Sequence, residues 1–442
     1  MAYVITVAGA GGKSGLIEAL ATQYAARGKR VAVTTTTHMF CCPDRPGVSY
    51  SGRVEGTKLA YPGDSCYEEL CRKYDVVLVE GDGSHHRPIK IPADYEPVIP
   101  ENTDEIFVVM GLCAVGRPFA VVCHRAGLAD EEDRRLLNGG REPMVERNAS
   151  QVAETPASIS FEGGGLVTET FIAHLARKYY LEPLRKRYPG VPVHDMRSDM
   201  TKRRYEECTG ESGNRRTFTA LVDDEEPVQS MALILMASGY GRRFGGNKLL
   251  CPYRGKPLYR WGLDALLEAK RLLECPFPCK EADGFTDNTG GVCEPVQAKV
   301  MVVSRYDGIL NEEDYSGRVQ MVENPDYAEG IAGSVRAGTR AAFADDSCGA
   351  VAFFVADQPH LDGKEIARFL REYLCSGKTM GCLFTDHPGN PAVFRRGMET
   401  ELLSLTGDAG AGRLLREHPE KVHHYIVDEA KWKDMDLPWE ND

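Results

Sequence analysis

A glycine-rich segment with a lysine and a serine, Gly9-Ala-Gly11-Gly12-Lys13-Ser14, lies between an apolar stretch and an amphipathic one. Glycines allow backbone N–H groups to turn toward an anion, and the N-terminus of a following helix adds partial positive charge. In such a loop the lysine reaches the terminal phosphates of a nucleotide and the serine coordinates Mg²⁺. The pattern therefore predicts a nucleotide-binding loop. The alternative is a glycine-rich turn that only packs a helix on a strand.

A second polar cluster follows the apolar run at 76–79 and contains Glu80 and Asp82. Acidic residues at the C-terminal end of a strand lie where doubly wound sheets bind ligands, and they hold Mg²⁺ directly or through water. We predict Asp82 and Ser14 as metal ligands, against the alternative of an ordinary strand–turn junction. The hydroxyls of the threonine run 34–37 are predicted to contact phosphates or the metal. The alternative is that these threonines reflect only the β-propensity of the segment.

The second half contains another glycine-rich segment after an apolar stretch, with the candidate residues Ser238, Gly239, Gly241, Arg242, Gly245 and Lys248. Backbone N–H groups in such a loop hold the phosphates of a nucleoside triphosphate, and cations stabilise charge on the α-phosphate and on the leaving pyrophosphate. We predict catalytic roles for Arg242 and Lys248 and nucleotide contacts for Ser238 and the glycines. A basic surface loop is the alternative.

Two acidic residues of the second half are candidate metal ligands. Asp357 follows an apolar run that starts at 351, and a buried strand that delivers one carboxylate to a sheet edge is a common source of a Mg²⁺ site. We predict Asp357 as a catalytic metal ligand and Asp436 as the second carboxylate. For Asp436 the alternative is a solvated acidic tail.

The elements that position these residues form two similar openings, at 3–37 and 231–273, each an apolar strand, a glycine-rich turn and an amphipathic helix. Such openings predict two tandem α/β domains with largely parallel sheets. We place the first domain at 1–205, a polar linker at 206–230 and the second domain at 231–442. A Pro- and Gly-rich loop insertion at 275–295 interrupts the second domain.

The cysteines of this insertion have the spacing C-x₃-C-x₁₃-C (Cys275, Cys279 and Cys293), which lacks a clear fourth ligand for zinc. The chain has 14 cysteines, and its N-terminus lacks the features of a secretory signal. We therefore expect reduced thiols and a cytoplasmic protein.

The charge balance restricts the partners. The 442 residues include 53 Lys plus Arg and 65 Asp plus Glu, so the net charge is 53 − 65 = −12. A general nucleic-acid binder needs a cationic face, which this balance argues against. No stretch reaches the roughly 20 apolar residues of a membrane helix, so we expect no membrane span.

Three segments of the first half resemble the YqeC family of accessory proteins for selenium-dependent molybdenum hydroxylases. These are GAGGKS, TTTTHM and VVLVEGDGSHHRPIK, within roughly residues 1–205. The resemblance implies a P-loop NTPase-like fold that binds a nucleoside triphosphate. The biochemical activity of the family itself is poorly defined.

Six ordered segments of the second half resemble the MocA-type molybdenum cofactor cytidylyltransferases. They are LMASGYGRRFGGNKLL, NPDYAEGIAGSVRAG, FFVADQP, GNPAVF, LTGDAGAGRLL and DMDLP. The resemblance implies a MobA-like nucleotidyltransferase fold, with Gly239, Arg242 and Lys248 on the triphosphate and Asp357 and Asp436 on Mg²⁺. Four polar or glycine residues within these segments are further predicted contacts of the nucleotide or cofactor: Asn324, Ser334, Gly389 and Asn390.

Together, the two resemblances predict an enzyme that transfers CMP from CTP to molybdopterin cofactor and releases pyrophosphate. Its product would serve the maturation of molybdenum hydroxylases, including selenium-dependent ones, and a hydroxylase apoprotein is the expected protein partner. The first half is expected to be an NTPase. The alternative is an NTP-driven maturation factor or cofactor carrier that transfers no nucleotide.

Overall fold

The chain forms two compact units, Met1–Leu221 and Val222–Asp442. In the computed structural model the described residues are 1–138, 165–199, 204–208, 216–219, 227–239, 247–275, 295–306, 309, 315, 317–385, 387–408, 410–428 and 432–435. Among them, no helix is both long and apolar enough to cross a membrane.

The first unit is an α/β structure with strands distributed along its whole length. Its strands are β1 (Tyr3–Gly9), β2 (Val31–Thr35), β3 (His38–Phe40), β4 (Val48–Tyr50), β5 (Arg53–Glu55), β6 (Lys58–Ala60), β7 (Val76–Glu80), β8 (Ile89–Lys90), β9 (Glu105–Gly111), β10 (Cys123–His124), β11 (Val193–Asp199), β12 (Arg204–Glu207) and β13 (Thr217–Thr219). Its helices are α1 (Lys13–Ala26), α2 (Asp64–Lys73), α3 (Phe119–Val122), α4 (Glu131–Leu137), α5 (Glu169–Ala176) and α6 (Glu182–Arg187), with a π-helical turn at Arg177–Leu181.

Eight of these strands form one sheet in the order β13-β12-β11-β9-β1-β7-β2-β4. The pairings from β11 to β4 are parallel, whereas β12 and β13 are antiparallel to their neighbours. The central strand β1 is apolar along most of its length, as expected for a strand covered on both faces. Because β1, β7 and β9 are parallel, their C-terminal ends meet at one edge, where the glycine loop follows β1.

Strands β12 and β13 extend this sheet into the stretch that the sequence assigned to a linker from residue 206. β13 is the edge strand and β12 is its antiparallel neighbour, and Arg204 in β12 and Arg216 directly before β13 are exposed. An edge strand with one exposed face is polar, so its composition resembles that of a linker. The described strands of the first unit extend to Thr219. The domain boundaries at 205 and 231 stay a prediction.

The second unit is also α/β. Its strands are β14 (Ser230–Met236), β15 (Pro252–Tyr253), β16 (Lys256–Pro257), β17 (Gln297–Ser304), β18 (Val319–Glu323), β19 (Ala350–Val355), β20 (Met380–Phe384), β21 (Pro388–Arg395) and β22 (Val422–Ile426). Its helices are α7 (Leu258–Leu273), α8 (Ile331–Phe343), α9 (Gly363–Ser376), α10 (Glu399–Leu403) and α11 (Gly412–Glu417).

Seven strands of this unit form a mixed sheet in the order β18-β17-β14-β19-β21-β20-β22. Strands β17, β14 and β19 are parallel, and β21 is antiparallel to both of its neighbours. Side chains alternate along β14: Leu233 and Leu235 pack on the face that carries α7 and α9, and Ile234 packs on the face that carries α8. Helices therefore cover both faces, and the C-terminal ends of β14, β17 and β19 form one edge.

Candidate functional site

The glycine loop of the first unit requires glycine at two positions. Gly9 has a φ of +96°, and a Cβ there would lie 2.2 Å from the carbonyl oxygen of Val109 on the neighbouring strand β9. Gly12 has a φ of +127°, and its Cβ would lie 2.5 Å from Ser198 Oγ. Side chains other than glycine rarely adopt such φ values. Close packing against β9 and β11 thus fixes the loop in front of α1.

Lys13 is the first residue of α1, and its side chain turns back over the loop. The Nζ atom donates to the carbonyl oxygen of Gly9 at 2.8 Å and lies 3.4 Å from Asp82 Oδ1 and 3.7 Å from Glu80 Oε1. Lys13 is buried, whereas Ser14 in the same helical turn is exposed. The structure thus brings together Gly9, Lys13 and Asp82, three residues that the sequence singled out.

Asp82 belongs to a buried hydrogen-bond network. Its Oδ1 atom accepts from the backbone N–H of Gly9 at 3.1 Å, and its Oδ2 atom accepts from Lys90 Nζ at 3.2 Å and from the Tyr180 hydroxyl at 3.0 Å. Lys90 also pairs with Glu96 at 2.8 Å. The network therefore connects the glycine loop to β8 and to the π-helical turn.

Glu80 lies at the end of β7, beside Lys13, and is almost completely buried. Burial raises the pKa of Glu80, and the Lys13 ammonium opposes this shift only in part. The hydroxyls of Thr35 and Thr36 both donate to the backbone carbonyl of Glu80, at 3.1 and 3.2 Å. These two threonines of the 34–37 run therefore hold the end of β7 in place.

In the second unit, Lys248 and Asp357 form an ion pair at the edge where the parallel strands end. Lys248 Nζ lies 2.7 Å from Asp357 Oδ2, and the two side chains are 17% and 20% exposed. Lys248 begins a short 3₁₀ helix, Lys248–Leu250, and Asp357 follows β19. The lysine predicted to act on the phosphates and the carboxylate predicted to hold Mg²⁺ are thus neighbours.

The C-terminal segment 432–435 packs against the turn that contains this pair. Met435 donates its backbone N–H to the carbonyl oxygen of Asp357 at 2.9 Å and accepts from Lys248 Nζ at 3.1 Å through its own carbonyl oxygen. The Gln358 amide donates to the carbonyl oxygen of Trp432 and to Asp434 Oδ1, both at 2.8 Å. Residues close to the end of the chain therefore form part of the site.

Ser238 and Gly239 lie where β14 ends. The Ser238 hydroxyl donates to the carbonyl oxygen of Val303 at 3.2 Å, and this bond ties the start of the glycine segment to β17. Gly239 is exposed and accepts a 2.8 Å bond from the Tyr306 hydroxyl through its carbonyl oxygen. The described part of the predicted nucleotide loop is thus anchored on its β17 side.

The remaining predicted contacts lie in two further places at the sheet edge. Asn324 donates to Ser334 Oγ at 3.0 Å, and both residues are buried. Asn324 Oδ1 has no hydrogen-bond partner among the described residues. Gly389 and Asn390 lie near the start of β21, which pairs with β19, and Asn390 is exposed.

Several predicted residues lie outside the described part of the chain, namely Gly241, Arg242, Gly245, Asp436, Cys279 and Cys293. Cys275 is described and is half-buried. Within the described ranges, no group of three or more His, Cys, Asp or Glu side chains has an arrangement that could hold a metal ion by itself.

Three side chains that shape these sites are not among the residues predicted from the sequence. Lys90 and Tyr180 hold Asp82, and Gln358 holds the C-terminal segment. Lys90 carried a signal, since a lysine between two isoleucines is an unusual residue for an apolar run. Tyr180 carried none, because its bond to Asp82 joins residues that are distant in sequence.

Family comparisons agree with both resemblances. Residues 5–127 match the YqeC protein family, and residues 232–422 match the MobA-like NTP transferase domain. The chain thus carries a YqeC-like domain followed by a MobA-like NTP transferase domain, as the sequence motifs predicted. The second match supports nucleotidyltransferase activity for the second half.

Among curated proteins, the chain is similar to the uncharacterized protein YqeC of Escherichia coli (strain K12). The two are 34% identical over an alignment of 131 residues, and the match covers 24% of this chain and 51% of that protein. The chain thus spans about half the length of this relative.

One similar solved structure is Rv0371c from Mycobacterium tuberculosis H37Rv. Its sequence identity to this chain is 19%, the match covers 47% of this chain and 93% of that chain, and the TM-score is 0.34. Molybdopterin-guanine dinucleotide biosynthesis protein A from Archaeoglobus fulgidus has 16% identity, covers 44% of this chain and 83% of its own, and has a TM-score of 0.30.

Proposed function

We propose that the second half of the chain is a Mg²⁺-dependent cytidylyltransferase. It transfers CMP from CTP to the terminal phosphate of molybdopterin cofactor and releases pyrophosphate. The proposal combines the MobA-like domain match with the MocA-type motifs of the sequence.

The observation that carries the proposal is the pair formed by Lys248 and Asp357. Nucleotidyl transfer needs a cation for the phosphates and a carboxylate for a metal, next to each other and open to a ligand. The pair meets this need, since its atoms are 2.7 Å apart and both side chains are partly exposed. The pair lies at the edge where the parallel strands β14 and β19 end, and Lys248 follows the glycine-rich segment closely in the sequence.

The chemistry of Asp357 fits a magnesium ligand. Only Oδ2 has a hydrogen-bond partner among the described residues, which leaves Oδ1 available. Asp436 follows Met435 directly in sequence, and the Met435 backbone is bonded to Asp357. We assign Asp357 and Asp436 as the residues that would hold Mg²⁺, which neutralises phosphate charge when it is bound.

The proposed reaction is an in-line displacement at the α-phosphorus of CTP. An oxygen of the acceptor phosphate forms the new bond to this phosphorus, the bond to the β-phosphate oxygen breaks, and pyrophosphate leaves with the electron pair. The acceptor phosphate is already anionic at neutral pH, so no general base is needed. Lys248 and Arg242 stabilise the negative charge of the leaving group.

The other predicted residues bind and orient the nucleotide and the cofactor. Backbone groups of Ser238, Gly239, Gly241 and Gly245 face the phosphates in this proposal. A second set lines the same sheet edge and contacts the base or the pterin: Asn324, Ser334, Gly389 and Asn390. The buried Asn324 Oδ1 atom, which lacks a partner among the described residues, is consistent with such a contact.

For the first half we propose a P-loop NTPase-like domain that binds a nucleoside triphosphate at Gly9–Ser14. In its support, the loop follows the central parallel strand, opens a helix and holds Lys13 over its backbone. A molybdenum hydroxylase apoprotein, including a selenium-dependent one, is the proposed protein partner of the whole chain.

Pyrophosphate assays with the full chain test the assignment of the second half. The protein is incubated with molybdopterin and Mg²⁺ and with CTP, GTP or ATP in turn. Pyrophosphate formed with CTP, together with the cytosine dinucleotide of the cofactor, is the expected result. If only phosphate is released, from ATP or GTP, the NTP-driven maturation factor replaces this proposal.

A further inference from the structure

Two carboxylates, Glu80 and Asp82, lie at the C-terminal end of β7, and their oxygens have different hydrogen-bond partners. Asp82 is completely buried, and four groups surround its two oxygens. The Gly9 N–H and Lys13 Nζ lie 3.1 and 3.4 Å from Oδ1, and Lys90 Nζ and the Tyr180 hydroxyl lie 3.2 and 3.0 Å from Oδ2. A carboxylate offers about four acceptor positions, and hydrogen bonds from Gly9, Lys90 and Tyr180 fill three of them on Asp82. The Lys13 ammonium faces Oδ1 as well, so Asp82 has little capacity left for a cation.

Glu80 is the opposite case. Its Oε1 atom lies 3.7 Å from Lys13 Nζ, beyond hydrogen-bond distance, and its Oε2 atom is buried without a hydrogen-bond partner among the described residues. The residue is only 7% exposed. A buried carboxylate oxygen that lacks a partner is costly, and a cation or a bound water relieves that cost.

The position of Glu80 also suits a bound nucleotide. Its backbone is fixed by Thr35 and Thr36, and its side chain lies next to Lys13 at the glycine loop. Mg²⁺ bound to nucleotide phosphates keeps several waters and takes one or two protein oxygens, so a single carboxylate is sufficient.

We propose that Glu80, and not Asp82, receives the divalent cation of a nucleoside triphosphate bound at Gly9–Ser14. This inference rests on the proposed nucleotide site of the first half. Asp82 is then a positioning residue, which fixes the Gly9 amide and the Lys13 ammonium. The assignment differs from the prediction made from the sequence, in which Asp82 and Ser14 are the metal ligands.

The test measures ATP and GTP binding to the full chain by calorimetry, once with EDTA and once with Mg²⁺. All samples carry Lys248→Ala, so that the second half contributes equally to each of them. A Lys13→Ala sample identifies the binding that belongs to the first half. The quantity compared is the ratio of the two affinities, which is the gain due to Mg²⁺.

In Glu80→Gln, the ratio of the nucleotide affinity with Mg²⁺ to that with EDTA is expected to fall by about tenfold or more. The affinity in EDTA should stay unchanged. Asp82→Asn is expected to weaken binding by a similar factor in both conditions and to keep the gain. Glu69→Gln, an exposed residue of α2, serves as the matched control and should behave like the parent protein. If Glu80→Gln does not fold, Glu80→Asp withdraws the carboxylate by one methylene and should also reduce the gain.

Two results would overturn the inference, and they differ in what else they affect. If Glu80→Gln keeps the full gain while Asp82→Asn loses it, the cation belongs to Asp82 and the nucleotide site stands. If neither nucleotide binds in a Lys13-dependent way, the nucleotide site of the first half is wrong, and the role of Glu80 falls with it.

Discussion

Lys248 Nζ lies 2.7 Å from Asp357 Oδ2, although 109 positions separate the two residues in the sequence. One begins the 3₁₀ helix after the glycine segment, and the other follows β19. The parallel order of β14 and β19 brings both to the same edge of the sheet. The proposed transfer chemistry depends on this pair, so each member can be tested separately.

Replacement of Asp357 tests the carboxylate. Asp357→Asn keeps the volume of the side chain and removes its charge, so Mg²⁺ loses a ligand. We expect pyrophosphate formation to fall by about 100-fold or more. Asp346→Asn, at a fully exposed carboxylate of the same unit, is the control and should retain full activity. Undiminished turnover in Asp357→Asn would remove the metal assignment.

Replacement of Lys248 tests the cation. Lys248→Met keeps the length of the side chain and removes the charge that stabilises the leaving group. We expect kcat to fall by about 100-fold, with a smaller change in KM for CTP. Lys299→Met removes a half-exposed lysine that pairs with Asp345, and should change neither constant, since surface ion pairs contribute little. An unchanged kcat in Lys248→Met would contradict the role proposed for Lys248.

Gln358 tests the contribution of the C-terminal segment. Its amide bonds to Trp432 and Asp434 should keep the neighbouring chain next to Asp357. We expect Gln358→Ala to raise the Mg²⁺ concentration at half-maximal activity by about tenfold, because the segment is less well held.

The control for this variant is Gln320→Ala, at an exposed position of β18. Both proteins are assayed over a range of Mg²⁺ concentrations, and their folding is compared by thermal melts. If Gln358→Ala shows a normal Mg²⁺ dependence, the segment does not help to build the metal site.

Gly9 tests the packing of the loop in the first unit. A Cβ at Gly9 would lie 2.2 Å from the Val109 carbonyl oxygen, and the φ of +96° is itself unfavourable for alanine. We expect Gly9→Ala to lower the free energy of unfolding by about 3 kcal/mol. Gly28 has a φ of +74°, and an added Cβ would meet no atom within 4 Å. Gly28→Ala should therefore lower the free energy of unfolding only through its unfavourable backbone conformation, by about 1 kcal/mol. Equal losses in urea denaturation would show that the contact with Val109 is unimportant.

His194 tests a pH dependence of stability in the first unit. Burial would lower its pKa, but the Glu105 and Glu207 carboxylates, 2.8 and 2.7 Å from its ring nitrogens, outweigh burial and the nearby Arg216 and raise it. Since the pKa is higher in the folded state, protonation stabilises the fold. This stabilisation is complete below the unfolded pKa of about 6.5 and is lost as pH rises through the folded pKa.

We therefore expect the stability difference between the parent protein and His194→Gln to be largest in mildly acidic buffer and to shrink toward pH 8 and above. Urea denaturation at several pH values measures this difference. A difference that grows with pH would mean that His194 is neutral in the folded protein.

Local sequence patterns were sufficient to predict the glycine loop of the first unit and the apolar strands that precede both glycine-rich segments. The backbone freedom of glycine and the apolar side chains of a buried strand are properties of short segments, so Gly9–Ser14 and 231–239 could be recognised without a structure. The same patterns predicted parallel sheets, and with them a shared edge for Lys248 and Asp357. The polar strands β12 and β13 give no such signal, and the predicted linker at 206–230 includes part of β12 and all of β13.

What could not be predicted is which polar atoms are already engaged. Glu80 and Asp82 both follow the apolar run 76–79, and the sequence does not show which of the two is already hydrogen-bonded. Lys90 on β8 and Tyr180 between α5 and α6 occupy one of them and not the other. Because a carboxylate can bind a cation only where its oxygens are not already used, and because those competing groups arrive from distant parts of the chain, the difference between the two acids arises only when the chain is folded.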